Sequence, residues 1–197
     1  MRKLIGITGF ARSGKDTFFE RADLALKKES LRCERVAFAD ALKNEVDDLL
    51  KTHTGISAFT ENDEEKSLVR PLLVTYGTDI RRKLNQNCWI EKVQPIVIEH
   101  LENNKFVFVT DVRFKNEAEW IKMNGGFMVK VERDGVGPAN HEEHKQSVLM
   151  KQHIDYKIAW PTFGDDEISN CDEFILPTLS AIVQQAKTYE NAYQEIM

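Results

Sequence analysis

The chain has 197 residues, and its 27 Lys and Arg against 32 Asp and Glu give a formal net charge of −5. With 42% hydrophobic and 30% charged residues, it has enough apolar side chains for one sizeable core and too balanced a composition for a fibrous or disordered class. The acid excess argues against coating a nucleic acid polymer by bulk positive charge, no apolar run nears the roughly 18 residues that span a bilayer, and the scattered Cys33, Cys88 and Cys171 suit a reducing cytoplasm better than a disulfide scaffold.

The apolar run Leu4 to Thr8 stops at Gly9 and is followed by a helical pattern from Lys15 to Lys28, which predicts a buried strand, a glycine turn and a helix. A second strand is expected over Arg35 to Ala39, with a helix from Asp40 and Asp40 as its N-cap. Polar residues from Gly55 to Lys66 predict a loop, and helical spacing returns over Leu68 to Leu84 and Trp89 to Leu101, with Pro95 as a kink or boundary. Lys105 to Thr110 is almost continuously apolar, as parallel strands covered on both faces are. A short helix over Asn116 to Asn124 closes at Gly125-Gly126, and Phe127 to Glu132 reads as another strand. Residues 133 to about 150 are polar and aperiodic, which predicts a lid loop. Asp155 to Ala159 alternates like a last strand, and Ile182, Ala186, Tyr189, Tyr193 and Ile196 line one stripe of a final helix. That stripe reads as core packing, with a homodimer interface as the alternative.

Strands alternating with helices predict an α/β fold with a mostly parallel sheet between helical layers, and ligands of such sheets sit at the carboxyl ends of the strands. Three chemically loaded segments fall there: residues 9–17, 40–43 and 111–113. The first, Gly9-Phe10-Ala11-Arg12-Ser13-Gly14-Lys15-Asp16-Thr17, matches G-x-x-x-x-G-K, the P-loop, whose backbone N–H groups wrap phosphates while the lysine adds positive charge. Asp16 stands where Ser or Thr is usual, and a carboxylate there is chemically suited to hold Mg²⁺ directly or through water. Thr17 is then left for the α-phosphate. His141-Glu142-Glu143-His144 lacks the HExxH spacing and reads as a solvated segment rather than a zinc site. Trp89 and Trp120 read as packing aromatics.

Ser13 to Thr17, Phe38-Ala39-Asp40-Ala41-Leu42-Lys43, Tyr76-Gly77-Thr78-Asp79-Ile80-Arg81 and Thr110-Asp111-Val112-Arg113-Phe114-Lys115-Asn116-Glu117-Ala118 together resemble the phage deoxynucleoside monophosphate kinases. The resemblance implies a single three-layer P-loop nucleoside monophosphate kinase domain over 1–197, with an acceptor-binding helical region at about 42–103 and the lid at about 133–150. It implies transfer of the γ-phosphoryl of ATP to a deoxynucleoside 5′-monophosphate with Mg²⁺, in the host cytoplasm for a phage-encoded chain. Gly9, Arg12, Ser13, Gly14, Lys15, Asp16 and Thr17 would bind ATP, and Asp16 and Asp111 the metal. Lys15, Arg113 and Arg133 would stabilise the transferring group. Lys43, Arg70, Thr78, Asp79, Arg82, Arg133, His144 and Ser147 would hold the acceptor. Arg113 has the alternative of pairing with Glu117, and Arg82 that of a helix-surface ion pair. A phosphate acceptor such as phosphomevalonate or dephospho-coenzyme A, or a non-enzymatic nucleotide switch, are the competing readings.

Overall fold

The computed structural model describes residues 2–194; Ile196 of the expected stripe and the side chain of Tyr193 lie outside the described set. The chain forms two compact units, one of residues 1–36 and 97–197 and one of residues 37–96.

The first unit holds a five-stranded parallel sheet: β1 Leu4–Thr8, β2 Cys33–Val36, β3 Phe106–Val109, β4 Phe127–Arg133 and β5 Tyr156–Trp160, in the order β2-β3-β1-β4-β5. β1 is central and wholly buried, which explains why it carries no side chain more polar than threonine. Alternation decides what each face meets. Ile5 and Ile7 join Phe106, Phe108, Val129 and Val131 in one core with Phe18, Ala22 and Leu26 of α1 (Lys15–Lys28) and Ile175, Leu179 and Ile182 of α7 (Asp172–Gln194). Gly6 faces the other way, where a Cβ would stand 2.5 Å from Met128 Sδ and 3.2 Å from Ile121 of α5 (Lys115–Met123). β2 and β3 lie on one side of β1 and β4 and β5 on the other, so the carboxyl end of β1 is the topological switch point where ligands of open α/β sheets bind.

The second unit is helical. α2 (Phe38–Thr54) and α3 (Asp63–Val74) pack Val46, Leu50 and Val69 with Ala58 of the intervening loop, and α3 continues into a π-helical segment, Thr75–Arg82. α4 (Cys88–Glu102) then leads back into the first unit. Asn62 caps α3 by accepting the Glu64 and Glu65 N–H groups at 3.0 and 3.1 Å, so this helix starts inside the segment expected to be a loop.

Two further expectations need correction. β2 ends at Val36 and α2 begins at Phe38 after an extended Ala37, so Asp40 lies in the first helical turn and is not the cap. The buried Ala37 and Phe38 prolong the apolar run past the strand, which made the run read as strand too far; Asp40 instead sits where an acid complements the helix dipole. Residues 141–150, expected within an irregular lid, form α6 (His141–Met150), with Asn140 Oδ1 capping the Glu143 N–H at 2.9 Å. Only residues 134–140 are irregular.

Candidate active site

The loop at the end of β1 has a shape only its own residues permit. Gly9 has φ 156°, and a Cβ there would lie 2.3 Å from the Val131 carbonyl oxygen and 2.5 Å from Ser13 Oγ. Gly14 has φ 90°, and its Cβ would meet the Trp160 ring at 2.7 Å. The chain therefore passes β4 on one side and an indole on the other with no space for a side chain. Trp160, the last residue of β5, also donates its indole N–H to the Ser13 carbonyl at 3.2 Å. Ser13 Oγ is buried with no hydrogen-bond partner. From Gly14 the chain turns directly into α1, whose first N–H groups and dipole favour an anion.

Lys15 folds back over this loop, its ammonium donating to the Gly9 and Phe10 carbonyls at 3.0 and 2.8 Å. Burial holds its pKa below the ordinary lysine value, and the Arg113 guanidinium nearby pushes the same way, against the opposing pull of Asp16, Glu143 and Asp111. Those residues come from three strand ends or their following helices. The segment after β3 is pinned by the Thr110 N–H donating to Val36 O and the Val112 N–H to Ile7 O, both at 3.1 Å, which places Asp111 at the same edge as the loop. Arg113 follows in an exposed position. The carboxylate of Glu117 is buried and accepts the backbone N–H groups of Arg113 and Phe114 at 2.8 and 3.0 Å, so it caps α5. Arg133 ends β4 beside Trp160 in the sheet register, and its Nε is buried without a hydrogen-bond partner. His144 is exposed and Ser147 half-buried on α6.

The remaining candidates lie in the helical unit. The Lys43 ammonium sits 5.1 Å from the centre of the Phe59 ring, and Arg70 is exposed on α3. Thr78, Asp79 and Arg82 all fall in the π-helical segment, a conformation that concentrates at functional sites. Asp79 pairs with Lys83 at 3.4 Å. A buried scaffold holds this segment: a Cβ on Gly77 would stand 2.8 Å from Leu42, the Trp89 indole donates to the Gly77 carbonyl at 3.3 Å, and Arg81 lies 5.6 Å from the Trp89 ring. Glu45 gathers Tyr76 Oη at 2.9 Å, Arg81 at 3.1 Å and Lys92 at 3.2 Å. Trp89, 2% exposed, is a packing aromatic, as the sequence suggests.

Sequence reasoning did not single out Trp160 or Glu45, and it took Glu143 only as part of a solvated segment, whereas that residue is half-buried and acts on Lys15. For α6 the pattern Asn140-x-x-Glu143 was an available N-cap signal. Nothing local marks Trp160, whose role depends on a strand and a loop far apart in sequence.

A family model for deoxynucleotide monophosphate kinase matches residues 18–152, beginning one residue after the phosphate-type loop. A protein of Acanthamoeba polyphaga mimivirus, provisionally described as a deoxynucleotide monophosphate kinase, is 27% identical over 177 residues, covering 79% of this chain and 86% of that protein. Among solved structures, a dephospho-CoA kinase from Campylobacter jejuni superposes with a TM-score of 0.51 at 15% identity, over 92% of this chain and 99% of that one, a likeness of fold. No helix among the described residues is long and apolar enough to cross a membrane. With a family model spanning most of its length and a P-loop kinase fold beneath it, the chain belongs to the deoxynucleotide monophosphate kinase family.

Proposed function

We propose that the chain transfers the γ-phosphoryl group of ATP to a deoxynucleoside 5′-monophosphate. The observation that carries this reading is the loop of residues 9–17 at the carboxyl end of β1, with the Lys15 ammonium held over it and Arg113 beside it, in a chain of this family. Phosphoryl transfer asks a protein chiefly to align two anionic reactants and offset their charge. In this reading Gly9, Arg12, Ser13, Gly14, Lys15, Asp16 and Thr17 bind the triphosphate, and Lys15, Arg113 and Arg133 neutralise charge on the moving group. Lys43, Arg70, Thr78, Asp79 and Arg82 of the helical unit, with Arg133, His144 and Ser147, take the acceptor.

Asp16 and Asp111 are carboxylates that both act electrostatically on Lys15, a donor set suited to Mg²⁺, which takes one or two carboxylates together with phosphate oxygens and water. When bound, the ion would supply charge neutralisation across the phosphates. The protein's own part is to hold Lys15 where burial and carbonyl acceptors fix its ammonium, and to present the α1 N-terminus to the anion.

ADP release in a coupled assay with the four common deoxynucleoside monophosphates tests the proposal. Turnover with at least one is expected, and its absence with all four would overturn the reading. Dephospho-coenzyme A as acceptor in the same assay separates nucleotide from non-nucleotide specificity.

A further inference from the structure

One N–H of the phosphate-type loop already has an anionic acceptor. The Ala11 N–H donates to Glu143 Oε1 at 3.2 Å, and the other oxygen of the same carboxylate takes the Ala139 N–H at 2.6 Å. Glu143 lies in the first turn of α6, where Asn140 satisfies its own N–H, so the helix cap fixes where the side chain starts. The carboxylate is close enough to act on the Lys15 ammonium. A side-chain carboxylate and a phosphate oxygen are the same kind of acceptor to such a loop, and two anions cannot share its amides without repulsion.

We infer that Glu143 is an internal competitor for phosphate: its carboxylate occupies the loop amide that a nucleotide's phosphate chain takes, and nucleotide binding displaces it and frees the start of α6. The inference rests on reading residues 9–17 as the nucleotide phosphate site. Displacement removes the acceptor of the Ala139 N–H as well, so residues 134–140 lose a tie to α6 when ligand enters. The apparent affinity for nucleotide falls by the fraction of time the loop is held by Glu143.

Calorimetric titration of the full chain with ADP, and with inorganic tripolyphosphate as a probe of the phosphate chain alone, tests this. Glu143→Gln keeps the shape and an oxygen for the Ala139 N–H but removes the charge. It is expected to bind both ligands roughly 3- to 10-fold more tightly than the wild type, and Glu143→Ala to do the same. Equal or weaker binding by both variants overturns the inference and leaves the nucleotide site standing. Failure of the wild type and variants alike to bind either ligand overturns both. Amide hydrogen exchange gives a second reading on the unaltered protein: adding ADP should speed exchange at Ala139 while Ala11 stays protected. Continued protection of Ala139 in saturating ADP would show that Glu143 never leaves and would also overturn it.

Discussion

Lys15 in the sheet unit and the cations around Glu45 in the helical unit are held in opposite ways. In the sheet unit, Lys15 gives its hydrogen bonds to the neutral carbonyls of Gly9 and Phe10, and its nearby cation Arg113 helps burial hold its pKa down. In the helical unit, Arg81 and Lys92 are committed to Glu45, and Lys83 to Asp79. A lysine held by carbonyl dipoles is positioned without being neutralised, and its charge stays available to an incoming anion. An arginine tied to a half-buried glutamate is part of the scaffold, and its value lies in the shape it imposes on the π-helical segment. Cations in a kinase therefore divide by what holds them, which a count of Lys and Arg does not show.

Substitutions can break or sharpen this contrast. Lys15→Ala is expected to have the largest effect, a fall in kcat of about 10²- to 10³-fold in the coupled assay with an unchanged melting temperature. A variant that loses stability as well would place Lys15 in the scaffold class. Trp160→Leu removes the indole beneath Gly14 and its bond to Ser13, and should cost about 2–3 kcal/mol in chemical denaturation and raise the KM for ATP. Trp160→Phe, which loses the N–H but keeps a ring, should cost only about 0.5–1.5 kcal/mol. Glu45→Gln should cost about 1–2 kcal/mol and raise the KM for the monophosphate while that for ATP stays put. A matching rise for ATP would erase the division between the two regions.

The last expected effect is confined to alkaline pH. Burial, with the Asp23 carboxylate accepting from Sγ at 3.1 Å, pushes the Cys33 thiol from 9.0 up to about 12. An unfolded thiol gives up its proton near 9.0 and the folded one near 12. The stabilising contribution is thus complete below the first value and declines as pH rises through that window. Denaturation midpoints of the wild type should fall there more steeply than those of Cys33→Ala.

What could be read from sequence follows from how locally each feature is encoded. The strands β1 and β3 are apolar runs with turn residues after them, β4 opens on three buried apolar residues, and the phosphate-type loop is a contiguous motif whose two glycines sit where a Cβ has no space. Asp111 and Arg133 could be put at the carboxyl edge of the sheet because each stands at the end of a strand legible in the sequence. Boundaries fared worse where burial crosses an element's end, as at Ala37 and Phe38. α6 has only Met150 buried, so it gives no apolar period, and its cap was the single local signal. Trp160 under Ser13 and Glu143 on Ala11 join positions 147 and 132 residues apart. Such pairings exist only once the sheet has assembled, and no single-sequence pattern carries them.

The strand order also governs how the molecule must come into being. β1 pairs with β3 and β4, and β2 pairs with β3, so the first two strands leaving the ribosome have no hydrogen-bonded neighbour in each other. Both wait for β3, and all of residues 37–96 are synthesised in the interval. Local contacts form faster than distant ones, so the helical segment is the first part of the nascent chain able to bury its own core, before the strands preceding it can. During that interval the backbone edges of β1 and β2 are open, the apolar β1 above all, and this is the stage at which the growing chain most needs protection from other chains.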